Sequence, residues 1–286
     1  MIQSMTGFGK ATLQLPTKKI TVEIKSLNSK GLDLNVRMPS VYREMELGLR
    51  TQLSNALERG KIDFAIYIEN TTEQTSTKVN VPIVKAYIAQ LREVYADADE
   101  TELIKMAVRM PDALKTEREE IDEDEWKNIL TVVDEGVKNI QSFRISEGSS
   151  LEREFLHRIA NIMTMMNATV AMDAERIETV KSRLQAAIEE LKVTLDENRF
   201  EQELIFYLEK YDITEEKVRL ENHLNYFIET LADKEANGRK LGFITQEMGR
   251  EINTMGSKSN HAAMQKLVVQ MKDELEKIKE QVLNVL

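Results

Sequence analysis

The sequence predicts an α+β fold, in which an N-terminal antiparallel sheet with a covering helix precedes an elongated α-helical region. Two patterns carry this prediction. Within the first 70 residues, apolar side chains alternate with polar ones, as in strands that bury one face. All four prolines occur by residue 111, and residues 149–237 contain neither proline nor glycine. Both residue types interrupt helices, so long helices are expected in the second half.

The N-terminal alternation predicts strands at residues 20–24, 32–38 and 62–68, with a further strand at residues 7–15. Residues 28–31, with the sequence NSKG, have the composition of a turn between the second and third strands. Between residues 39 and 59 an apolar side chain recurs every four residues, which predicts a helix that covers the sheet. The apolar positions of this helix are Val41, Met45, Leu49, Leu53 and Leu57.

We divide the chain into an N-terminal α+β region at 1–70, a mainly helical connecting region at 71–145 and a C-terminal helical domain at 146–286. Residues 70–80 are interpreted as a polar loop. The acidic run at 117–125 is interpreted as a solvated segment rather than a metal site, because like charges spread along a segment do not converge on one ion.

The C-terminal domain is predicted to begin with a helix of about forty residues. Ser149 and Glu152 have the spacing of a capping box, which places the helix start at residue 149. Behind it runs a near-heptad stripe of Leu151, Phe155, Ile159, Ile162, Met166, Val170, Ile177, Val180, Leu184, Ile188 and Leu191. The last helix has a matching stripe of Met264, Leu267, Met271, Leu275, Ile278 and Val282. The two stripes can pair within the chain or between subunits, and we expect a homo-oligomer.

Composition excludes several classes of function. The 286 residues include no cysteine, so disulfides, thiolate metal sites and cysteine nucleophiles are excluded. No apolar run is long enough to span a membrane and the N-terminus lacks a secretory profile, so a cytoplasmic protein is expected. The absence of a Walker or G-x-G-x-x-G loop gives no indication of a nucleotide cofactor. A net charge of -10 argues against wrapping of nucleic acid by the whole surface, but it permits a local basic channel.

Residues 238–260 hold the most informative polar cluster. If residues 241–254 are helical, Leu241, Ile244, Met248, Ile252 and Met255 form an apolar face, and Glu247, Arg250, Glu251 and Thr254 form another. Two carboxylates at this spacing can hold Mg²⁺ or Mn²⁺ through oxygen. Arg250 and Lys258 would stabilise phosphate charge, and Asn253 and Thr254 would orient ligands. The alternative is an ordinary salt bridge on an exposed helix.

Two further groups of residues are candidates for RNA chemistry. His223 follows Arg219 by four residues, so the two can share a helical face where the histidine acts as acid or base; a structural, half-buried histidine is the alternative. On the predicted sheet, a cationic strip is expected to follow an RNA backbone. Its members are Lys25, Arg37 and Lys61 on the strands, with Asn28, Lys30 and Arg59 beside them; Arg219, Arg239 and Lys240 add positive charge in the C-terminal region. The alternative is a solvated mixed-charge face, since Glu23, Asp33 and Asp63 lie on the same strands.

Several segments resemble one family across essentially the whole chain. The segment GRKLGFITQEMGREINTMGSKS at 238–259 resembles the C-terminal signature of the YicC-like (YloC) endoribonucleases, a bacterial, stress-associated family. SMTGFG at 4–9, EIKSLNSKGLDLNVRMP at 23–39, RGK at 59–61 and RLENHL at 219–224 resemble its other patterns. The chain departs from the family at Gly242, usually acidic, and at Gly249, usually asparagine. Either departure would lower activity if that side chain binds metal or phosphate.

The resemblance implies a metal-dependent endoribonuclease that acts on RNA and assembles as an oligomer, with a hexamer as the family's form. Glu247 and Glu251 would hold the divalent cation, Mg²⁺ or Mn²⁺. The alternatives are a non-catalytic RNA-binding adaptor that presents transcripts to other nucleases, and a structural coiled-coil scaffold. The adaptor needs the cationic strip without the carboxylates, whereas the scaffold needs only the apolar stripes.

Overall fold

The computed structural model describes residues 2–71, 77–116, 123–190, 197–233 and 238–286. It confirms the α+β class, with a four-stranded sheet near the N-terminus and a helical region after it. Residues 117–122, which make up most of the predicted acidic run, lie outside this description. Within the described ranges, every helix is too short or too polar to cross a lipid bilayer.

The sheet is mixed, so the prediction of a purely antiparallel sheet was wrong in one pairing. Its strands are β1 (Gly7–Gln14), β2 (Lys18–Leu27), β3 (Leu32–Arg37) and β4 (Gly60–Asn70), in the order β1-β2-β4-β3. Strands β1, β2 and β4 pair antiparallel, whereas β3 runs parallel to β4. The turn at 28–31 therefore closes no hairpin, because β4 lies between the two strands that it joins.

The parallel pairing follows from the connection between β3 and β4. A 3₁₀ helix (Ser40–Met45) and helix α1 (Glu46–Leu57) carry the chain from the end of β3 back to the start of β4. A helical crossover is what a parallel pair of strands requires. Leu49, Leu53 and Leu57 are buried as predicted, but Val41 in the 3₁₀ helix is exposed.

Most of the sheet is covered by a helix that was not predicted to do so. Helix α4 (Glu123–Ala171) packs its N-terminal half against β1 and β2 and buries Ile129, Val133 and Ile140 there. The approach is so close that a β-carbon added at Gly9 would lie 2.5 Å from the carbonyl oxygen of Gly136. Only glycine at position 9 permits this contact between strand and helix.

Helix α4 also overturns the predicted helix start at Ser149. The helix is continuous through that residue, and Ser149 Oγ donates a hydrogen bond to the Ile145 carbonyl, 3.1 Å away, instead of capping a terminus. Because residues 145–148 are already helical, no free backbone N–H groups remain at this point for a capping box to satisfy.

Between β4 and α4 the chain forms a small separate group of elements. It consists of β5 (Thr77–Val79), α2 (Val81–Val94), α3 (Glu100–Ala107) and β6 (Leu114–Thr116), where β5 and β6 pair antiparallel. Val84, Ala107 and Ala113 form its small apolar cluster. Strand β5 lies in the stretch that was interpreted as a polar loop.

The helical region packs α7 (Thr214–Ala232), α8 (Gly238–Lys258) and α9 (Ala262–Val282) around the C-terminal half of α4. The stripe of α9 packs on α4 within the chain, with Val268 buried where Leu267 is only half-buried. The predicted forty-residue helix is interrupted near Met172, after which α5 (Asp173–Glu190) and α6 (Glu197–Lys210) follow. The side chains of Ile177, Leu184 and Ile188, and all of Leu191, lie outside the described residues, so a role of this stripe between subunits stays a prediction.

Candidate functional site

Helices α7 and α8 form an antiparallel pair whose two ends are fixed by side-chain contacts. At one end, Lys240 Nζ lies 4.9 Å from the centre of the Tyr226 ring. At the other, Lys258 Nζ lies 2.7 Å from Glu216 Oε1. Between these contacts runs a line of polar residues that we call the α7–α8 seam. It comprises Glu216, Arg219, His223 and Tyr226 on α7, with Lys240, Glu247, Glu251 and Lys258 on α8.

The orientation of α8 is set by its apolar face and its glycines. The predicted apolar face is confirmed, because Leu241, Ile244, Met248, Ile252 and Met255 are all buried. A β-carbon added at Gly249 would lie 3.3 Å from Leu275 of α9, so that side of α8 faces α9. Positions two residues away point about 200° around the helix from Gly249. Glu247 and Glu251 therefore project away from α9, towards α7.

The two carboxylates of α8 have different surroundings. Glu251 is 5% exposed, and the part of the chain that the structure describes gives its carboxylate no hydrogen bond or ion pair. Glu247, one turn earlier, is half-exposed and lies 4.0 Å from Arg250 Nη1. The pair can offer one shielded and one accessible oxygen ligand to a cation.

The other predicted residues of α8 are mostly solvent-facing. Arg250 has a side-chain exposure of 77%, and Asn253 is also exposed. Thr254 is half-buried, and its hydroxyl donates a hydrogen bond to the Arg250 carbonyl over 3.1 Å. Arg250 and Asn253 are thus free to reach a ligand over the exposed side of α8, whereas Thr254 is already held within its own helix.

Lys258 joins α8 to the start of α7. Its ammonium donates to the Asp212 carbonyl over 2.8 Å and to the carboxylate of Glu216, which is only 5% exposed. Asp212 accepts hydrogen bonds from the hydroxyl and N–H of Thr214, which, with the charges of Lys258 and Arg176, hold the pKa of its carboxyl below the ordinary value. These contacts fix the register of the seam at this end. Sequence reasoning missed Glu216, because its pairing depends on how α7 meets α8.

His223 and Arg219 lie on the α7 side of the seam. In an antiparallel pair, the Glu216–Lys258 contact places His223 opposite residue 251 and the Tyr226–Lys240 contact places it opposite residue 243. His223 therefore lies along the stretch of α8 that carries Glu247 and Glu251. His223 is half-buried, and Arg219 pairs with Glu215 on its own helix. The structure thus brings His223 to the same seam as the two carboxylates.

The predicted cationic strip lies elsewhere, on the outer face of the sheet. Lys25, Arg37 and Lys61 are exposed on that face, and Asn28 and Lys30 are exposed in the adjoining turn. Arg59 is half-buried and donates from Nε to the Ser29 carbonyl over 3.0 Å. In the helical region, Arg239 is exposed and Lys240 stacks on Tyr226. The strip and the seam therefore occupy two different layers of the molecule.

Sequence reasoning also missed Arg144, whose guanidinium is buried under the sheet and bonds to residues next to the cationic strip. Its side chain is fully buried within α4 and donates to Ser26 Oγ at 2.6 Å and to the Arg59 carbonyl at 3.2 Å. Burial lowers the pKa of Arg144, and the charge of Glu58 partly offsets that shift. An arginine in a long helix normally faces solvent, so the sequence around Arg144 does not indicate that its side chain is buried and donates to the sheet.

A complete protein cage for a metal is not found in the part of the chain that the structure describes, where no three carboxylate or imidazole side chains converge. Glu247 and Glu251 would supply two ligands and leave the remaining positions to water or substrate, which suits Mg²⁺. Two carboxylates one helical turn apart, with an exposed guanidinium beside them and an imidazole on the neighbouring helix, define a class of site suited to acting on phosphate esters.

Comparison with known proteins identifies the family. The N-terminal region of the YicC-like endoribonucleases matches residues 2–153, and their C-terminal region matches residues 169–286. The chain belongs to this family, as its motifs predicted. It is 32% identical to a probable endoribonuclease YicC of Clostridioides difficile and 30% identical to one of Haemophilus influenzae, in each case over 100% of both chains.

Proposed function

We propose that this protein is a metal-dependent endoribonuclease that hydrolyses phosphodiester bonds in RNA at the α7–α8 seam. The observation that carries the proposal is the Glu251 side chain, which is 5% exposed, makes no hydrogen bond or ion pair among the described residues and lies one turn from Glu247. The names of both relatives, probable endoribonuclease YicC, supply the substrate class.

The carboxylate pair fits a hard divalent cation, Mg²⁺ or Mn²⁺. Such ions are commonly held by one or two carboxylates with water and phosphate, and Glu247 and Glu251 would be the two carboxylates here. When bound, the ion would polarise the phosphate and lower the pKa of a bound water.

The remaining residues of the seam are assigned by their accessibility. Arg250 is exposed beside Glu247 and would bind a phosphate oxygen. His223 would transfer a proton, and Asn253 would orient the phosphate. Lys258 is already bonded to Asp212 and Glu216, so its charge would act on the phosphate while it holds the two helices in register. Assembly into a homo-oligomer, which would gather several cationic strips, belongs to the same proposal.

Cleavage assays with charge-neutral variants test this function. A structured RNA is incubated with the protein in EDTA, Mg²⁺ or Mn²⁺, and the products are separated on a gel. Glu251→Gln and Glu247→Gln are each expected to lower the cleavage rate by at least about a hundredfold while RNA affinity is retained, because they remove metal ligands rather than cationic contacts. Glu280→Gln on α9, an exposed glutamate outside the seam, is the matched control and should cleave normally.

Three results would contradict the proposal. Full cleavage in EDTA would exclude a required metal, and normal rates in both glutamine variants would place the chemistry elsewhere. Binding of RNA without cleavage under any ion condition would favour the adaptor function instead.

A further inference from the structure

The outer face of the N-terminal sheet contains a depression of about 140 Å³ centred on Ala65. We call it the Ala65 depression. It is lined by Glu23 and Lys25 of β2, Arg37 of β3, and Asp63, Ala65 and Tyr67 of β4. The α7–α8 seam does not contribute to it.

The strand register explains why a depression forms here. Ala65 pairs with Glu23 on one side and with Arg37 on the other, so a single methyl group stands between two long side chains. Along β4, Asp63 and Tyr67 are the neighbours on the same face, since side chains two residues apart share a face. A small residue is therefore enclosed by larger ones on all four sides.

The aromatic side chains of this face are unusually accessible. Tyr67 is 49% exposed at the depression, and Phe8 is 42% exposed on β1 with Lys25 Nζ 5.9 Å from its ring centre. Exposed aromatic rings on a sheet are stacking surfaces for unpaired bases, and an arginine plane such as that of Arg37 serves the same purpose.

The two carboxylates of the depression favour a base over a phosphate as its ligand. Asp63 Oδ1 accepts from Asn35 at 2.9 Å and Glu23 Oε1 accepts from Lys10 at 3.0 Å. Among the described residues, the second oxygen of each carboxylate has no partner. Two carboxylates would repel a phosphate, but they can accept from the amino and imino groups of a base edge. Guanine carries two adjacent donors, N1–H and the N2 amino group, which match one carboxylate.

We propose that the Ala65 depression binds an unstacked guanine base of single-stranded RNA, with Tyr67 or Arg37 against its plane and Asp63 or Glu23 on its donor edge. The proposal rests on the proposed function for its ligand class, RNA. It divides the work on this face: Lys25 and Lys61 hold the backbone while the depression selects the base.

Binding of short labelled oligonucleotides in EDTA tests this selection. The probes are an oligouridine and the same oligomer with one central guanosine or inosine, since inosine lacks the N2 amino group. Wild-type protein is expected to prefer the guanosine probe over oligouridine by about tenfold and to lose most of that preference with inosine. Ala65→Leu, which fills the depression, should abolish the preference and leave oligouridine binding unchanged. Thr12→Leu places the same side chain on the same face outside the depression and should behave as wild type.

Substitution of the two acids distinguishes a base site from a phosphate site, because the two predict opposite changes in RNA affinity. Asp63→Asn and Glu23→Gln are expected to weaken binding of the guanosine probe severalfold, because an acceptor is lost. If the face contacts only phosphates, the same variants would instead bind every probe more tightly, because repulsion is relieved. That result, or an unchanged preference in Ala65→Leu, would overturn the proposal.

The outcomes separate this inference from the proposed function. If wild-type protein cleaves RNA but has no guanosine preference, only the base site is wrong. If it neither binds nor cleaves any RNA, the proposed function fails with it. A change in particle mass for Ala65→Leu by light scattering would assign the face to a contact between copies of the chain and would also overturn the base site.

Discussion

The two halves of α4 pack against different kinds of secondary structure, and their buried polar residues differ accordingly. The N-terminal half lies under a sheet, and the C-terminal half lies against helices. One arginine from each half shows the difference. Arg144 in the first is 2% exposed and donates to backbone carbonyls and a serine hydroxyl. Arg158 in the second has a side-chain exposure of 21% and pairs with the carboxylates of Glu154 and Glu274.

This difference follows from what each half packs against. Gly9 and Gly136 bring β1 and α4 into close contact, and the backbone carbonyls of the segments that precede β1 and β4 accept hydrogen bonds from within the protein there. Arg144 is the donor to Leu57, Arg59 and Met5. Helices satisfy their own carbonyls, so the arginine on the other half is left for ion pairs at the edge of the interface.

The largest expected effect is therefore the loss of the Arg144 side chain. Arg144→Ala should lower the free energy of unfolding by about 3 kcal/mol, because several buried acceptors lose their donor and a cavity opens. Arg158→Ala, the matched change on the other half, should cost less than about 1 kcal/mol because its ion pairs are partly exposed. Urea denaturation of both variants measures the difference. Equal losses would show that the two halves are stabilised alike.

Local sequence patterns predicted the elements of both halves but not their partners. Alternation located β1 to β4 because each strand carries its own buried face. The parallel pairing of β3 was missed, since it depends on the path of the crossover through α1 and not on the composition of the strand. The packing of α4 on the sheet was missed for the same reason. Ile129, Val133 and Ile140 form an ordinary apolar stripe on a helix, and such a stripe does not indicate whether it packs on a sheet or on other helices.

The candidate site shows the same limit. The spacing of Glu247 and Glu251 was visible as a helical pattern, and the apolar face of α8 beside them was predicted correctly. The pairing of Glu216 with Lys258 depends on the register of α7 against α8, and the Ala65 depression depends on three paired strands. A single alanine among polar residues gives no signal until its cross-strand neighbours are known.

The two halves of α4 are also expected to differ in how strongly their contribution to stability depends on acid pH. This effect is smaller than the loss of Arg144. Burial raises the pKa of the Glu274 carboxyl, but hydrogen bonds from Lys277 and Asn161 and the charges of Lys277 and Arg158 outweigh it and hold the pKa below its ordinary value of 4.5. A lowered pKa in the folded state means that the ionised form stabilises the fold. That stability is complete above pH 4.5 and is lost as the pH falls through the lowered value.

Glu274→Gln should therefore flatten the acid side of the stability profile without changing the slope at neutral pH. Urea midpoints measured between neutral and acid pH report this effect. Arg144→Met serves as the comparison, because an arginine that stays protonated throughout contributes no titration in this range. An acid slope that is unchanged in Glu274→Gln would assign the acid sensitivity to other carboxylates.

The smallest expected effect concerns two of the three glycines of α8 that face α9, Gly242 and Gly256. A β-carbon at Gly242 would meet its nearest atom, of Val282, at 3.9 Å, which is an ordinary contact, whereas one at Gly256 would lie 3.0 Å from Val268. Gly242→Ala should therefore stabilise the protein by up to about 1 kcal/mol through helix propensity, and Gly256→Ala should lose that gain to the close contact. In thermal unfolding this corresponds to a Tm increase of about 2–4 °C for Gly242→Ala. Since Gly242 points towards α9 and not towards the seam, cleavage should be unchanged; a lower rate would show that this position contributes to the site.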